Sequence, residues 1–393
     1  MINQAMYALG AAPNKIREMF AYGLERKAQI GAENVFDLSI GNPNVPTPPE
    51  VKDILERLLE RDPIALHAYT PSPGAMSSRQ AVADHIKAHW GIDAKASSVY
   101  FTPGAAAALA ICIQAVLEPG DELITVSPYF PEYKTWAENA QGTLIEVPAR
   151  ESDFQMDVPA IEAAITPRTS AIVINTPNNP VGAVYSRENL EELAAMLTRK
   201  EAELGRELFI ISDEPYRYIT YGAEVPYVPL IYPRTLVCYS FSKSLSMPGE
   251  RIGYIYVSDL MENAAEVFTA VSGAGRSLGY ICMSSLFQYL AEECLELPSD
   301  VEAYRTNRDI LTQGLGELGY EYIEPEGAFY LWVKALESDA VAFSEQAKKH
   351  ELLLVPSNSF GVPGWVRISY CVSRDVIERS LPAFAALKAD YDA

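Results

Sequence analysis

The chain has 393 residues, of which 49% are hydrophobic, and its formal net charge is −21. This length is sufficient for a large core and about two domains, whereas the strong negative charge argues against binding nucleic acid or an anionic membrane surface through bulk charge. No stretch is long and apolar enough to cross a bilayer, and the first residues lack the basic start and apolar run of a signal peptide, so we expect no membrane partner.

The predicted elements of the middle of the chain alternate between helix and strand. In chain order they are a buried helix over 105–117, strands at 122–126 and 171–175, an amphipathic helix over 186–204, and strands at 208–212 and 235–239. Such alternation predicts an α/β fold, with a mostly parallel sheet covered by helices on both faces.

The pattern changes from about Tyr304 onwards. A helix is followed there by apolar runs at 320–323, 328–333, 352–355 and 366–369, and by a final helix. This order predicts a smaller α+β unit. The proline-rich segment 42–49 is typical of a linker and is expected to lead from the N-terminal arm into the large domain.

The cysteines and histidines are scattered, and their spacing matches no metal-binding motif. We therefore expect the five cysteines to be reduced thiols in a cytoplasmic protein. His85 and His89 are four residues apart on a predicted helix, but the sequence shows no further ligand beside them. A solvated helix face is the interpretation, and no metal is predicted.

One short segment carries the chemistry. Lys243 follows the predicted strand at 235–239, with hydroxyls at Ser240 and Ser242 before it and Arg251 eight residues later. The amine can hold an aldehyde cofactor as a Schiff base, while the hydroxyls and the guanidinium hold the phosphate of that cofactor. Open α/β sheets bind ligands just past the carboxyl ends of their strands, which is where Lys243 is predicted to lie.

This segment resembles the lysine signature of the fold-type I pyridoxal 5′-phosphate (PLP) enzymes, in the class I/II aminotransferase group. The resemblance extends from about Asp37 to Ser369. It implies PLP as cofactor and a mostly parallel, seven-stranded-type sheet in the large domain, with the N-terminal arm joining the C-terminal unit in one small domain. We place the large PLP-binding domain at 48–289 and the small domain at 1–47 and 290–393.

The resemblance assigns four residues to the pyridine ring. Asp213, at the end of a predicted strand, is the partner of the ring nitrogen, because a nearby carboxylate favours the protonated ring. Tyr216 and Asn179 are expected to donate to the phenolic oxygen, and Asn179 also lies in the substrate pocket. Phe130 is the better match for the residue stacked on the ring, with Tyr129 as the alternative.

The phosphate is expected to bind at the start of the helix over 105–117. Gly104 permits close approach, and the backbone amides of Ala105 and Ala106 supply donors, since this chain has no hydroxyl or amide side chain there. Tyr69 resembles the tyrosine that reaches the phosphate of the neighbouring subunit. The resemblance therefore implies a homodimer with shared active sites.

Three further residues are assigned to the substrate. Arg367 matches the arginine that binds the α-carboxylate bidentately, and Gly41 matches a glycine that lines the same pocket. Arg276 lies about as far beyond Arg251 as an arginine that reads distal carboxylates, and its glycine-rich surroundings favour an exposed or mobile loop. This last transfer is by spacing alone, and a solvated or interface arginine is the other interpretation.

The predicted activity is transamination between an L-amino acid and a 2-oxo acid, and the aspartate/glutamate type is the candidate for its specificity. Lys243 would move the proton as base and acid. A PLP-dependent carbon–sulfur β-lyase is the alternative. A PLP-binding DNA regulator is disfavoured, because few residues precede Asp37 and the net charge is negative. The sequence leaves the amino donor and acceptor open.

Overall fold

The computed structural model describes residues 2–12 and 15–392. Their contacts divide the chain into two compact units. The larger comprises 43–303 and 326–328, and the smaller comprises residues up to 42, 304–325 and 329 onwards. The division therefore falls later in the chain than the predicted boundary at 289. The physical reason is the helix Ser285–Cys294, which crosses that position and packs its apolar face into the core of the larger unit.

The described residues contain fifteen α-helices, several of which begin at a capping side chain or end at a left-handed glycine. They are α1 (Gln4–Ala11), α2 (Lys15–Ile30), α3 (Glu50–Leu59), α4 (Pro63–His67), α5 (Met76–Trp90), α6 (Ala105–Val116), α7 (Glu132–Asn139), α8 (Val158–Ala164), α9 (Arg187–Leu204), α10 (Phe241–Ser244), α11 (Ala264–Ser277), α12 (Ser285–Cys294), α13 (Val301–Glu317), α14 (Ala340–Lys348) and α15 (Arg374–Asp392).

The strands of the described residues form one large sheet and two small ones. They are β1 (Phe36–Asp37), β2 (Val99–Thr102), β3 (Glu122–Ser127), β4 (Thr143–Pro148), β5 (Thr169–Asn175), β6 (Phe209–Asp213), β7 (Thr235–Ser240), β8 (Gly253–Val257), β9 (Tyr322–Ile323), β10 (Tyr330–Lys334), β11 (Leu352–Leu353), β12 (Val355–Pro356) and β13 (Trp365–Ser369).

The larger unit is built on a seven-stranded sheet in the order β2-β8-β7-β6-β5-β3-β4. Neighbouring strands from β7 through β4 are parallel, whereas β8 runs antiparallel to both β7 and β2. Every residue of β3, β5 and β7 is buried, as expected for strands covered on both faces. The α/β architecture predicted from the sequence is confirmed, and so are its helices and strands in this unit.

Helices cover both faces of this sheet. The helices α6, α7 and α11 pack over one core cluster, while α3, α5 and α12 enclose a second cluster and α8 and α9 a third. The alanine-rich sequence of α6 suits its place, because small side chains let the helix approach the strands closely. The carboxyl ends of the parallel strands are thereby held in fixed positions.

The smaller unit has two small sheets. A four-stranded antiparallel sheet has the order β12-β13-β10-β9, and β1 pairs in parallel with β11. The pairing of β1 with β11 brings the N-terminal arm into the C-terminal unit. The predicted run at 352–355 is split between the two sheets, and the other predicted tail strands appear with ends shifted by one or two residues.

One interpretation of α5 is wrong. His89 is partly exposed, but His85 is buried, and both rings contact the carboxylate of Glu296. His85 is therefore covered rather than solvated, whereas the side chain of His89 is 43% exposed. This contact was not predictable from neighbouring residues, because Glu296 is more than two hundred residues away along the chain. Among the described residues, no helix is long and apolar enough to cross a membrane.

Candidate active site

Three adjacent parallel strands end in polar residues at one edge of the large sheet. Asn175 on β5 is in register with Asp213 on β6, which is in register with Cys238 on β7, two residues before Ser240. The Asn175 side chain donates to the backbone carbonyl of Asp213 (2.8 Å) and accepts from the amide of Asn179 (2.7 Å). The strand ends and the Asn179 turn are thus held together by buried hydrogen bonds.

Asp213 presents a buried carboxylate with one oxygen available. The Tyr133 hydroxyl donates to Oδ2 over 2.6 Å, whereas Oδ1 is buried and accepts no hydrogen bond from the described residues. Burial raises the pKa of Asp213 to about 7, although the bond from Tyr133 lowers it. An orphaned buried oxygen is costly unless a donor meets it. A protonated ring nitrogen would supply both the donor and the opposite charge.

Lys243 lies in the short helix α10 directly after β7. Ser240 fixes the start of this helix: its hydroxyl accepts from the amide of Ser242 (3.0 Å) and donates to the Ser242 hydroxyl (2.6 Å). Ser244 shares a hydrogen bond of 2.7 Å with the hydroxyl of Tyr239. Both residues that flank Lys243 are buried, so the lysine is carried by a rigid turn.

Gly253 brings together the segments that were predicted to bind phosphate. On β8 it is in register with Thr102 of β2 on one side and Ser240 of β7 on the other. A Cβ at this position would lie 2.6 Å from the Tyr239 carbonyl oxygen and 2.9 Å from the Gly104 backbone. Only glycine permits this approach, which places the start of α6 beside the lysine turn.

Arg251 lies beside Gly104 at the start of α6. A Cβ on Gly104, whose φ is +85°, would lie 2.6 Å from Nη2 of Arg251. Nη1 donates to the Pro248 carbonyl (3.1 Å) and Nη2 to the Pro103 carbonyl (3.4 Å). The guanidinium therefore lies over the N-terminus of α6, where the amides of Ala105 and Ala106 add positive potential. This donor set fits a phosphate.

The two aromatic candidates differ in their surroundings. Both rings contact Tyr133: Tyr129 stacks on it, and Phe130 meets it edge to face at 5.8 Å. Tyr129 is buried, and burial followed by the nearby Glu146 raises the pKa of its hydroxyl far above the usual range. Phe130 is only partly buried. The accessible ring beside the Tyr133–Asp213 pair is therefore Phe130.

The remaining two predicted cofactor residues lie in different environments. Tyr216 is buried in the turn that follows β6, three residues beyond Asp213. Tyr69, between α4 and α5, is 98% exposed. Tyr216 therefore lies in the segment directly after Asp213, which forms the strand-end cluster together with Asn175, Ser240 and Lys243. The side chain of Tyr69 extends into solvent.

The predicted carboxylate site lies in the smaller unit. Arg367 on β13 is buried, donates to the Ser39 carbonyl over 2.6 Å and lies 4.6 Å from the centre of the Tyr330 ring. A Cβ on Gly41 would overlap the Tyr330 hydroxyl. Phe360 supports the guanidinium from another side at 5.2 Å. The arginine is thus held in one orientation by backbone and aromatic contacts.

The loop predicted around Arg276 is wrong. Arg276 is exposed on the last turn of α11. The neighbouring Gly275 serves packing, since a Cβ there would lie 2.5 Å from the Tyr100 hydroxyl. Gly275 thus reflects close contact of the helix with β2 rather than a flexible loop.

Sequence reasoning missed Tyr133 and Asn175, which orient Asp213, and Tyr330, which packs on Arg367. The place of Tyr133 was the available indication. It lies on the first turn of the helix that follows Phe130, at the same edge of the sheet. For Asn175, its place as the last residue of a buried strand was the equivalent indication.

The chain is similar to known aminotransferases along nearly its whole length. The family described as aminotransferase class I and II matches residues 33–384. A crystal structure of an amino transferase from Eubacterium rectale is 48% identical, with a TM-score of 0.97 and full coverage of both chains. The aspartate aminotransferase of Thermotoga maritima is 33% identical, over 89% of this chain and 90% of its own length.

A third relative was solved with a small dicarboxylate. The aspartate aminotransferase of Thermus thermophilus with maleate is 30% identical, with a TM-score of 0.87, and the match covers 98% of this chain and 100% of that one. These similarities confirm the predicted fold type and the predicted transamination, and nothing in them supports the lyase alternative. The enzyme exchanges an amino group between an amino acid and a 2-oxo acid. The chain belongs to the class I and II aminotransferase family.

Proposed function

We propose that the enzyme holds PLP covalently on Lys243 and transfers the amino group of an L-amino acid, with aspartate or glutamate as the preferred donor. The observation that carries the cofactor assignment is the buried, unsatisfied Oδ1 of Asp213 at the edge of the sheet where Lys243 lies. A carboxylate in that state fits a protonated pyridine nitrogen. The hydroxyls, amides and guanidinium around Gly104 fit the phosphate of the same molecule.

Each residue has a distinct task in the proposed reaction. When bound, PLP supplies an electron sink that acidifies the Cα–H bond of the substrate. Asp213 keeps the ring nitrogen protonated by charge pairing. The amine of Lys243 removes the proton from Cα and returns it one position away, as general base and then general acid. Tyr216 and Asn179 orient the phenolic oxygen, and Phe130 covers one face of the ring.

Arg367 is proposed to bind the α-carboxylate of the substrate. Its guanidinium is already oriented by the Ser39 carbonyl and the Tyr330 ring, so little side-chain entropy is lost on binding. Gly41 keeps space beside Tyr330.

A dicarboxylic donor is supported by relatives named as aspartate aminotransferases, one of them solved with maleate. Arg276 is the proposed reader of the distal carboxylate.

We also propose a homodimer in the cytoplasm. The almost complete exposure of Tyr69 is unusual for a large aromatic side chain and supports a role across a subunit interface. All five cysteines are free thiols, including the buried neighbours Cys112 and Cys238, which supports a reducing compartment.

The test combines labelling with a donor panel. Borohydride reduction of the purified enzyme, followed by peptide mapping, should place the cofactor on Lys243, and label on another lysine would refute the assignment. Amino donors are then assayed with 2-oxoglutarate as acceptor, and the highest kcat/KM is expected for aspartate. Release of pyruvate and ammonia without any acceptor would instead indicate a lyase.

A further inference from the structure

A second cluster of ionisable side chains lies in the larger unit, on α5 and the turn after α12. Nδ1 of His85 is 2.5 Å from one oxygen of Glu296, and Nε2 of His89 is 2.9 Å from the other. The two imidazoles project from successive turns of α5, with ring centres 4.3 Å apart. One ligand atom from each of the three side chains lies within 4.8 Å of the other two.

This arrangement has the components of a transition-metal site. Imidazole and carboxylate are the side-chain ligands that zinc binds, and two histidines four residues apart on a helix offer their nitrogens to one point in space. A third ligand from a separate segment completes a facial set of three. Such a set leaves further positions on the metal open to water.

The outer contacts of His85 support the same conclusion. Its second ring nitrogen, Nε2, lies 2.8 Å from the hydroxyl of Tyr218, so the ring is oriented with Nδ1 towards His89 and Glu296. Metal-binding histidines are commonly fixed in this way through the nitrogen that does not bind metal.

We propose that His85, His89 and Glu296 bind one divalent transition-metal ion, of which zinc is the type. With metal–ligand bonds of about 2.0 Å, tetrahedral ligands lie about 3.3 Å apart, so Glu296 must move outwards by roughly 1 Å. Its side chain is 66% exposed and lies in a turn, which makes this movement easy. A cavity of about 260 Å³, lined by the same three residues together with Tyr218, provides the space for water on the open positions.

The bound ion would join α5 to the segment that follows α12. These two helices already pack together, and Ser78 donates to Glu292 over 2.6 Å. None of the three ligands is a residue assigned to PLP or substrate, although the cavity beside them is also lined by Tyr239 and Ser244, which lie next to Lys243. Metal binding is therefore expected to raise the thermal stability of the enzyme.

The experiment is a titration of the chelator-treated, cofactor-loaded enzyme with ZnCl₂, followed by calorimetry and metal analysis. The wild type is expected to bind about one zinc ion per chain and to melt at a higher temperature with zinc. His89→Ala and Glu296→Gln alter partly exposed side chains and should fold normally, as circular dichroism will check. Each is expected to weaken zinc binding at least tenfold.

The matched control is His350→Ala. His350 also pairs with a carboxylate, Asp390 at 2.7 Å, but only one histidine is present there. This variant should bind zinc as the wild type does. Absence of stoichiometric binding to the wild type, or equal binding by all four proteins, would overturn the proposal. With Co²⁺ as the probe, a thiolate charge-transfer band would likewise overturn it, because the ligands would then be cysteines.

Discussion

The Tyr133 hydroxyl donates to Oδ2 of Asp213 over 2.6 Å, whereas Oδ1 is buried and accepts no hydrogen bond from the described residues. The tyrosine is fully buried, so the carboxylate is held by a neighbour that has no freedom to turn away. The orientation of the Asp213 carboxylate thus depends on a contact between β6 and α7, and this contact exists only in the folded protein.

The first prediction separates the charge of Asp213 from its orientation. Asp213→Asn should fold and retain PLP but lose most of kcat, because the amide cannot pair with a cationic ring; each tenfold loss corresponds to about 1.4 kcal/mol of barrier. Tyr133→Phe keeps the charge and should cause a much smaller loss of kcat. Steady-state kinetics with one donor and acceptor measure both. Equal losses in the two variants would contradict a special role for the carboxylate.

The second prediction concerns pH and the protein freed of cofactor. The pKa of Asp213 is about 7 in the folded chain, above its ordinary value of 3.8, so the folded state binds more protons between these values. The free energy of unfolding must therefore fall as pH rises from about 5 to about 7, by up to about 1.4 kcal/mol per pH unit. Denaturant unfolding should show this loss in the wild type and not in Asp213→Asn. Addition of PLP should reduce this loss of stability. If the free energy of unfolding of the wild type and of Asp213→Asn depended on pH in the same way, the prediction for Asp213 would be wrong.

The third prediction tests Gly253, which lies beside the proposed phosphate site. Gly253→Ala should lower both stability and PLP affinity, since its Cβ would lie 2.6 Å from a carbonyl oxygen and 2.9 Å from the Gly104 backbone. Overpacking of this kind costs about 1–3 kcal/mol. Gly249→Ala is the matched control, because no atom lies within 4 Å of its Cβ. Thermal melting and PLP titration compare the pair, and similar behaviour of both variants would argue against the close approach.

The fourth prediction addresses donor choice. Arg276→Ala should raise KM for aspartate and glutamate by about tenfold or more, as expected for loss of a charge-assisted hydrogen bond of about 1.5–3 kcal/mol. KM for alanine and aromatic donors should change little. Equal losses for all donors, or none for dicarboxylates, would leave Arg276 as a surface residue of α11.

The fifth prediction tests sharing of sites between subunits. Tyr69→Ala and Lys243→Ala should each be nearly inactive alone. If Tyr69 acts on the neighbouring site, a mixed dimer contains one site with both residues intact, so mixing should restore up to about a quarter of the activity after exchange. Activity is measured against time after mixing, with size analysis as control. A fully active monomer at assay concentration would end this idea.

The position of the candidate active site was predictable because most of its residues lie at, or directly after, the ends of strands. Apolar runs before Asn175, Asp213 and Ser240 indicate buried parallel strands, and the carboxyl ends of such strands must share one edge. Lys243 and Asn179 follow these ends at once, so their convergence was expected. The same reasoning could not find Tyr133, whose bond to Asp213 spans 80 residues and depends on how α7 packs.

Glycines limited the prediction in a different way. Gly275 looks like a loop residue in sequence, yet it lies in α11, where the Tyr100 hydroxyl occupies the space of a side chain. The sequence alone does not distinguish a glycine that permits a flexible loop from one that permits close packing. The two are distinguished by the residue that packs against the glycine, and tertiary packing rather than the neighbouring sequence determines which residue that is. The error at Arg276 has this origin.

The antiparallel direction of β8 has a consequence for the order in which the candidate site forms during folding. Lys243 and Arg251 lie on the short connection between β7 and β8, so their approach closes only a small loop. Gly104 joins them only when β2 pairs with β8 from the distant segment 99–102, a contact of much larger sequence separation. During refolding, the amine and the guanidinium should therefore be assembled early, whereas the proposed phosphate site is completed only by this slower docking. Capture of PLP would then report the late step of folding.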